Sequence, residues 1–151
     1  MGQRKPDAEG SREAAAKPTV ARFPVRFNEV DAAGIVFFPR FYDYFHMTFE
    51  AFFGPATGIP YPEWIQERRV GWPAVHVETD FRAPLRYGME VEIALSFPRV
   101  GNSSFVCRYE ATDPSTGTLL CECEITVVTT DLDRMTSLPI PEVVRRALRP
   151  A

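Results

Sequence analysis

The amino-acid sequence predicts an α+β domain in which one antiparallel sheet of about five strands wraps around a long central helix. Three observations carry that expectation. Residues 72–130 contain four segments in which apolar and polar side chains alternate, the pattern of half-buried strands. Residues 37–53 contain aromatic side chains at three-to-four spacing, the pattern of a helix. The chain has 151 residues, 45% hydrophobic and 25% charged, which suits one domain with an ordinary core.

Taken in order, Met1 to Pro18 mixes charges of both signs with Gly and Ala and has no apolar segment. It reads as a disordered or expression-derived tail (1–18) ahead of a single domain (19–149), and it is no secretory signal. Thr19–Phe27 alternates as a strand, with Val20, Arg22, Pro24 and Arg26 on one face, and Pro24 places it at an edge or at a bulge. Asn28–Gly34 is a loop of turn-forming residues. In Phe37–Phe53, Phe38, Phe41, Phe45, Phe49 and Phe52 recur at helical spacing, and Phe37, Tyr42, Tyr44, Met47 and Phe53 thicken the stripe. A helix apolar on most sides is enclosed by protein. Pro39 suits its first turn, and Gly54-Pro55 is expected to end it.

Ala56–Pro62 reads as a connection and Glu63–Arg69 as a short helical turn. Four strands follow, at Trp72–Phe81, Met89–Phe97, Ser103–Thr112 and Thr118–Thr130. The turn Asp113–Gly117 joins the last two as a hairpin, and a short amphipathic helix spans Pro141–Leu148.

The charge of −3 gives no basic surplus for nucleic acid, although a local basic patch can still hold the phosphates of a small ligand. No apolar run approaches the roughly 18 residues of a membrane span. Cys107, Cys121 and Cys123 form no C-x-x-C pair, and Cys121 and Cys123 share one strand face, as small core hydrophobes do. With only His46 and His76 to add, metal binding is not expected, and a reduced, cytoplasmic setting fits.

The chemistry concentrates in residues 27–39. Asp31 lies in a turn just before a helix N-terminus. That terminus presents unpaired N–H groups and partial positive charge, which polarise a carbonyl or hold an oxyanion. A carboxylate beside it can attack an activated carbonyl or activate water to do so. An Asp in such a place is also commonly just a cap or turn residue.

The block Asp31-Ala-Ala-Gly-Ile-Val-Phe-Phe-Pro39, followed by the aromatic helix, resembles the 4-hydroxybenzoyl-CoA thioesterase family over roughly Thr19 to Thr130. The resemblance implies the hotdog fold and cleavage of acyl-CoA thioesters by dimers or tetramers without metal or other cofactor. It implies Asp31 as nucleophile or general base, Phe38 offering its backbone N–H to the thioester carbonyl, and Gly34 shaping the turn between them. It implies Val36 and Phe37 at the substrate. A histidine at position 38 marks a short-chain branch of the family, and Phe38-Pro39 matches its aromatic acyl-CoA branch instead; the substrate this implies is an aromatic or short acyl-CoA. His46 stands where that branch commonly has an acid contacting the substrate ring, and a histidine there can donate to a hydroxyl, carboxylate or carbonyl; apart from the resemblance it reads as a satisfied, semi-buried helix histidine. Asn102, Ser103 and Ser104 resemble the family's segment near the pantetheine arm, though an ordinary hairpin turn reads the same way. Arg82, Arg86, Arg99 and Arg108 are candidates for the CoA phosphates. Glu50 is a reserve carboxylate. A hotdog dehydratase and a non-catalytic acyl-CoA or acyl-carrier-protein binding module are the rival readings. Open sheet edges predict a homodimer with the site at the interface, and the resemblance implies that it pairs into a homotetramer.

Overall fold

The structure is a computed structural model, and it describes residues 18–148. The tail read at 1–18 thus lies, but for Pro18, outside the described residues, as does Arg149 at the end of the domain.

The elements in chain order are β1 (Thr19–Pro24), a 3-10 turn (Phe27–Glu29), α1 (Arg40–Thr57), α2 (Tyr61–Gln66), β2 (Val70–Gly71), β3 (Ala74–Phe81), β4 (Glu90–Val100), β5 (Ser104–Thr112), β6 (Leu119–Val128), β7 (Thr130–Asp131), β8 (Thr136–Ser137) and α3 (Glu142–Leu148). Five strands form one antiparallel sheet in the order β1-β4-β5-β6-β3. This is the sheet-around-helix arrangement expected from the sequence. Pro24 does lie on an edge strand, where its missing N–H leaves no ladder bond unmade.

The alternation in the central strands works as expected. Val91, Ile93 and Leu95 of β4, Phe105, Cys107, Tyr109 and Ala111 of β5, and Cys121 and Cys123 of β6 are all buried. They face the buried stripe of α1, where Phe45 stacks on Tyr109 with ring centroids 4.8 Å apart and Phe52 meets Phe97 at 4.8 Å. The opposite sheet face is charged. Arg82 pairs with Glu122 at 3.0 Å and Arg99 with Glu124 at 2.7 Å.

Five details correct the expectation. The first strand stops at Pro24, and Phe27 opens the 3-10 turn instead of ending the strand. α1 runs through Gly54-Pro55 to Thr57, and Gly58, at φ 76°, caps it by donating its N–H to Gly54 O at 2.9 Å. A proline near a helix C-terminus breaks one backbone bond without stopping the remaining turn. α1 is also not enclosed on every side within the chain: Asp43, His46, Met47 and Glu50 form an exposed stripe. Finally, the short helix begins two residues earlier than expected, at Tyr61, and a separate three-stranded sheet, β2-β7-β8, went unread. Its two-residue strands are too short to show alternation. No helix among the described residues is long and apolar enough to cross a membrane.

Candidate active site

Residues 29–37 fold back on themselves. Val30 faces Val36 across an isolated bridge, Asp31 N–H donates to Ile35 O at 2.9 Å, and Gly34 N–H donates to Asp31 O at 3.0 Å. Gly34 sits at φ 80°, a conformation that costs most side chains and costs glycine little. The Asp31 side chain is exposed, and its Oδ1 accepts the Ala33 N–H at 2.8 Å, which fixes the carboxylate against its own turn. The loop is tied to the rest of the fold on both sides. Val36 N–H donates to Leu85 O at 2.7 Å, and Phe37 N–H donates to Glu29 O at 2.9 Å.

The next N–H along the chain is that of Phe38. It finds no partner among the described residues, and it directly precedes Pro39, the N-cap of α1. A free donor at a helix N-terminus, beside a loop bearing a fixed carboxylate, is the geometry that can polarise a carbonyl. The Phe38 ring is exposed and meets Phe81 of β3 at 6.1 Å; Phe41 meets the same ring at 5.6 Å. These rings and Val36 line a cleft of about 380 Å³. Asp31, Gly34, Val36, Phe37 and Phe38 are thus brought together.

His46 lies two turns further along α1. It borders a larger cleft of about 580 Å³ between α1, α2 and β3, walled by Tyr42, Phe49, Tyr61, Trp72 and Tyr109 among others. His46 Nε2 is 3.9 Å from Glu50 Oε1, and its ring meets Tyr61 edge-on at 5.9 Å. Burial, with the nearby Glu50 charge second, pushes the Tyr61 hydroxyl up to about 12, so it stays a neutral donor. Tyr42 donates to or accepts from Thr79 Oγ1 at 2.7 Å.

Asn102, Ser103 and Ser104 are not part of this assembly within one chain. They lie at the far end of β4, whose 11 residues span roughly 35 Å from the end that pairs with Pro24. There they pack under α3: Ile140 N–H donates to Asn102 O, Arg145 donates to Gly101 O and Asn102 O, and Thr129 N–H donates to Ser103 O. Of the four arginines, Arg82, Arg99 and Arg108 are committed to carboxylates on the outer sheet face, whereas Arg86 borders the Asp31 loop opposite Ile35.

The cysteines are core residues. Burial pushes the thiols of Cys107 and Cys121 up to about 12 and raises that of Cys123. His76 is exposed and pairs with Glu78 at 3.0 Å. Among the described residues no three His, Cys, Asp or Glu side chains converge as metal ligands.

Sequence reasoning missed the walls of the larger cleft, above all Tyr61, Trp72 and the short β2-β7-β8 sheet. Nothing in their local spacing announces a shared cavity. It also missed Glu29, whose carboxylate accepts the Tyr44 hydroxyl at 2.8 Å.

Residues 25–148 match the thioesterase-like superfamily. The chain belongs to that superfamily. A 1,4-dihydroxy-2-naphthoyl-CoA hydrolase of Synechococcus sp. (strain CC9605) is 35% identical over 86 residues, which are 54% of this chain and 58% of that protein. The enzyme of the same name from Nostoc punctiforme is 32% identical over 88 residues, 58% of this chain and 59% of that one. The chain therefore spans less than two thirds of the length of these relatives. Among solved structures, a gentisyl-coenzyme A thioesterase superposes with a TM-score of 0.76 at 29% identity, covering 83% of this chain and 98% of its own. A 4-hydroxybenzoyl-CoA thioesterase variant, solved with 4-hydroxybenzoyl-CoA, superposes at 0.80 with 19% identity over 88% of this chain and 99% of its own, and it shares the fold. This superfamily member thus has the hotdog fold.

Proposed function

We propose that the protein is an acyl-CoA thioesterase that hydrolyses an aromatic acyl-CoA to the free acid and CoA. The observation that carries the reading is the unpartnered Phe38 N–H at the start of α1 beside the loop that fixes the Asp31 carboxylate. In the general-base route Asp31 takes a proton from water, the hydroxide adds to the thioester carbonyl, and the Phe38 N–H and helix N-terminus hold the oxyanion. Collapse expels the CoA thiolate, which takes the proton back. In the nucleophilic route Asp31 itself displaces the thiolate, and water then hydrolyses the resulting anhydride.

The acyl group is an aromatic ring carrying a hydroxyl or carboxyl group. Five aromatic side chains wall the larger cleft, and His46 and Tyr61 add polar atoms at its border. Relatives named for dihydroxynaphthoyl and gentisyl thioesters support the same class.

The working unit is a homodimer, with pairing into a homotetramer beyond it. β3 is an open edge, with Val75, Val77 and Phe81 all exposed. Antiparallel pairing of β3 with its copy about a two-fold axis would set the Phe38–Phe81 end of one subunit over the His46 cleft of the other.

The test is thiol release from benzoyl-, hydroxybenzoyl-, dihydroxybenzoyl-, phenylacetyl- and straight-chain acyl-CoAs by the wild type and Asp31→Asn. Release that favours hydroxylated aromatic groups and vanishes in the variant is expected. Undiminished release by the variant would falsify the role of Asp31 and turn attention to Glu50. Binding of CoA without any release would establish the non-catalytic module instead.

A further inference from the structure

Part of the wall of the 580 Å³ cleft comes from α2, β2 and the connections, outside the five main strands and α1. One residue of that part is Leu132, in the turn between β7 and β8, and it lines the cleft beside Gly71 of β2. The two are seated one on the other. A Cβ built on Gly71 would stand 2.9 Å from Leu132 Cδ2 and 3.2 Å from Cδ1, so the leucine rests on bare backbone that only glycine provides.

The turn is held in place from several directions. Leu132 N–H donates to Arg69 O at 2.9 Å, and Arg69 Nε donates to Asp133 Oδ1 at 2.9 Å. Asp131 Oδ1 accepts the N–H groups of Asp133 and Arg134 at 2.9 and 3.1 Å, and β7 pairs with β2 through Val70–Asp131 and Gly71–Thr130. Arg69 and Met135 take positive φ angles of 54° and 53°, conformations that persist only where surrounding contacts impose them.

We infer that Leu132 sets the size of the acyl group that the cleft accepts; this rests on the thioesterase reading above. The rest of the wall is rigid by comparison. Phe49, Trp72 and Tyr109 are core side chains, buried and packed against other rings, so their positions are not free to change with the ligand. Leu132 is only half-buried and hangs from a small sheet whose strands are two residues long. Its volume can therefore change without unpacking the core. Each methylene newly buried in an apolar cleft is worth about fourfold in binding, and pockets of this kind discriminate neighbouring ligands by roughly 10- to 200-fold.

The experiment compares kcat/KM for 2-naphthoyl-CoA and benzoyl-CoA in wild type, Leu132→Ala and Leu132→Phe. The ratio of naphthoyl to benzoyl should rise about tenfold in Leu132→Ala and fall about tenfold in Leu132→Phe. Ratios within twofold of wild type in both variants, with thiol release intact, would overturn the inference and leave the thioesterase reading standing. If the wild type releases thiol from no acyl-CoA, that reading falls by itself. The wall is then read from the melting-temperature shifts given by 2-naphthoate and benzoate in the same three proteins. Opposite changes of preference in the two variants uphold it, and unchanged preference overturns it.

Discussion

Tyr44, on α1, donates its hydroxyl to Glu29 Oε1 at 2.8 Å, and the same oxygen accepts the Arg26 N–H at 2.6 Å. Glu29 in turn offers its backbone carbonyl to Phe37 N–H. One residue thus pins both ends of the Asp31 loop and fastens them to the central helix. Burial first, and the Glu29 hydrogen bond second, push the Tyr44 hydroxyl above its ordinary value and keep it a donor. Tyr44→Phe removes a bond to a charged acceptor. It should lower unfolding free energy in urea by about 1.5–3 kcal/mol, and it should reduce kcat more than it raises KM, because the loop that presents Asp31 loses its anchor.

Asp31→Asn and Asp31→Ala should separate chemistry from loop structure. Asn retains an Oδ1 to accept the Ala33 N–H, whereas Ala does not. Both variants should lose about 10²- to 10⁴-fold in turnover. Only Asp31→Ala should also lose stability, by roughly 1 kcal/mol. Thiol release and thermal melting on the same samples check both statements.

Phe45→Ala should act in the opposite sense, on the fold alone. Phe45 is fully buried and stacked on Tyr109. Its truncation should cost about 3–5 kcal/mol in urea unfolding. Residual folded enzyme should keep near-normal kcat when concentrations are corrected for the folded fraction.

Val75→Lys should break the dimer proposed above. Val75 is 61% exposed on the open edge β3, and a lysine there disfavours strand addition. Sedimentation should then give the 17.1 kDa mass of one chain, and turnover should fall with it. A variant that sediments as one chain yet keeps full activity would show that each subunit holds a complete site.

Alkaline pH should destabilise the protein through its buried thiols. Burial raises Cys107 and Cys121 from 9.0 to about 12, so between those values the folded chain holds protons that the unfolded chain has released. The contribution is complete below about pH 9 and is lost as pH rises towards 12. Tyr61, raised from 10.0 to about 12, adds to the loss above pH 10. Urea midpoints should stay level from pH 7 to about 8.5 and then fall steadily.

The parts of this fold that were legible in the sequence are those where a period repeats. The β4, β5 and β6 strands show five or so alternations each, and α1 shows five phenylalanines at helical spacing. The Asp31 loop was legible because its turn residues and the following Pro39 act locally. The end of α1 was misplaced because Gly54 and Pro55 weaken a helix without ending it, and tertiary packing carried it on to Thr57. Glu29 escaped notice because its partner Tyr44 lies 15 residues away, and the cleft escaped because its walls come from six separate elements and their connections. Asn102–Ser104 was placed beside the substrate by resemblance, while within one chain the same turn serves as a seat for α3.

The strand order β1-β4-β5-β6-β3 also governs how the molecule can be assembled during synthesis. Both edge strands emerge from the ribosome before any strand that can pair with them, and the phenylalanine-rich helix emerges with only β1 made to pack against it. β1 waits for β4, about 70 residues later, and β3 waits for β6, some 45 residues later. A nascent chain halted before Leu119 therefore carries a greasy helix under half a sheet and a bare β3 with no ladder to join. Such a chain must be shielded until its last long strand arrives, and the β5–β6 hairpin is the step that seals it.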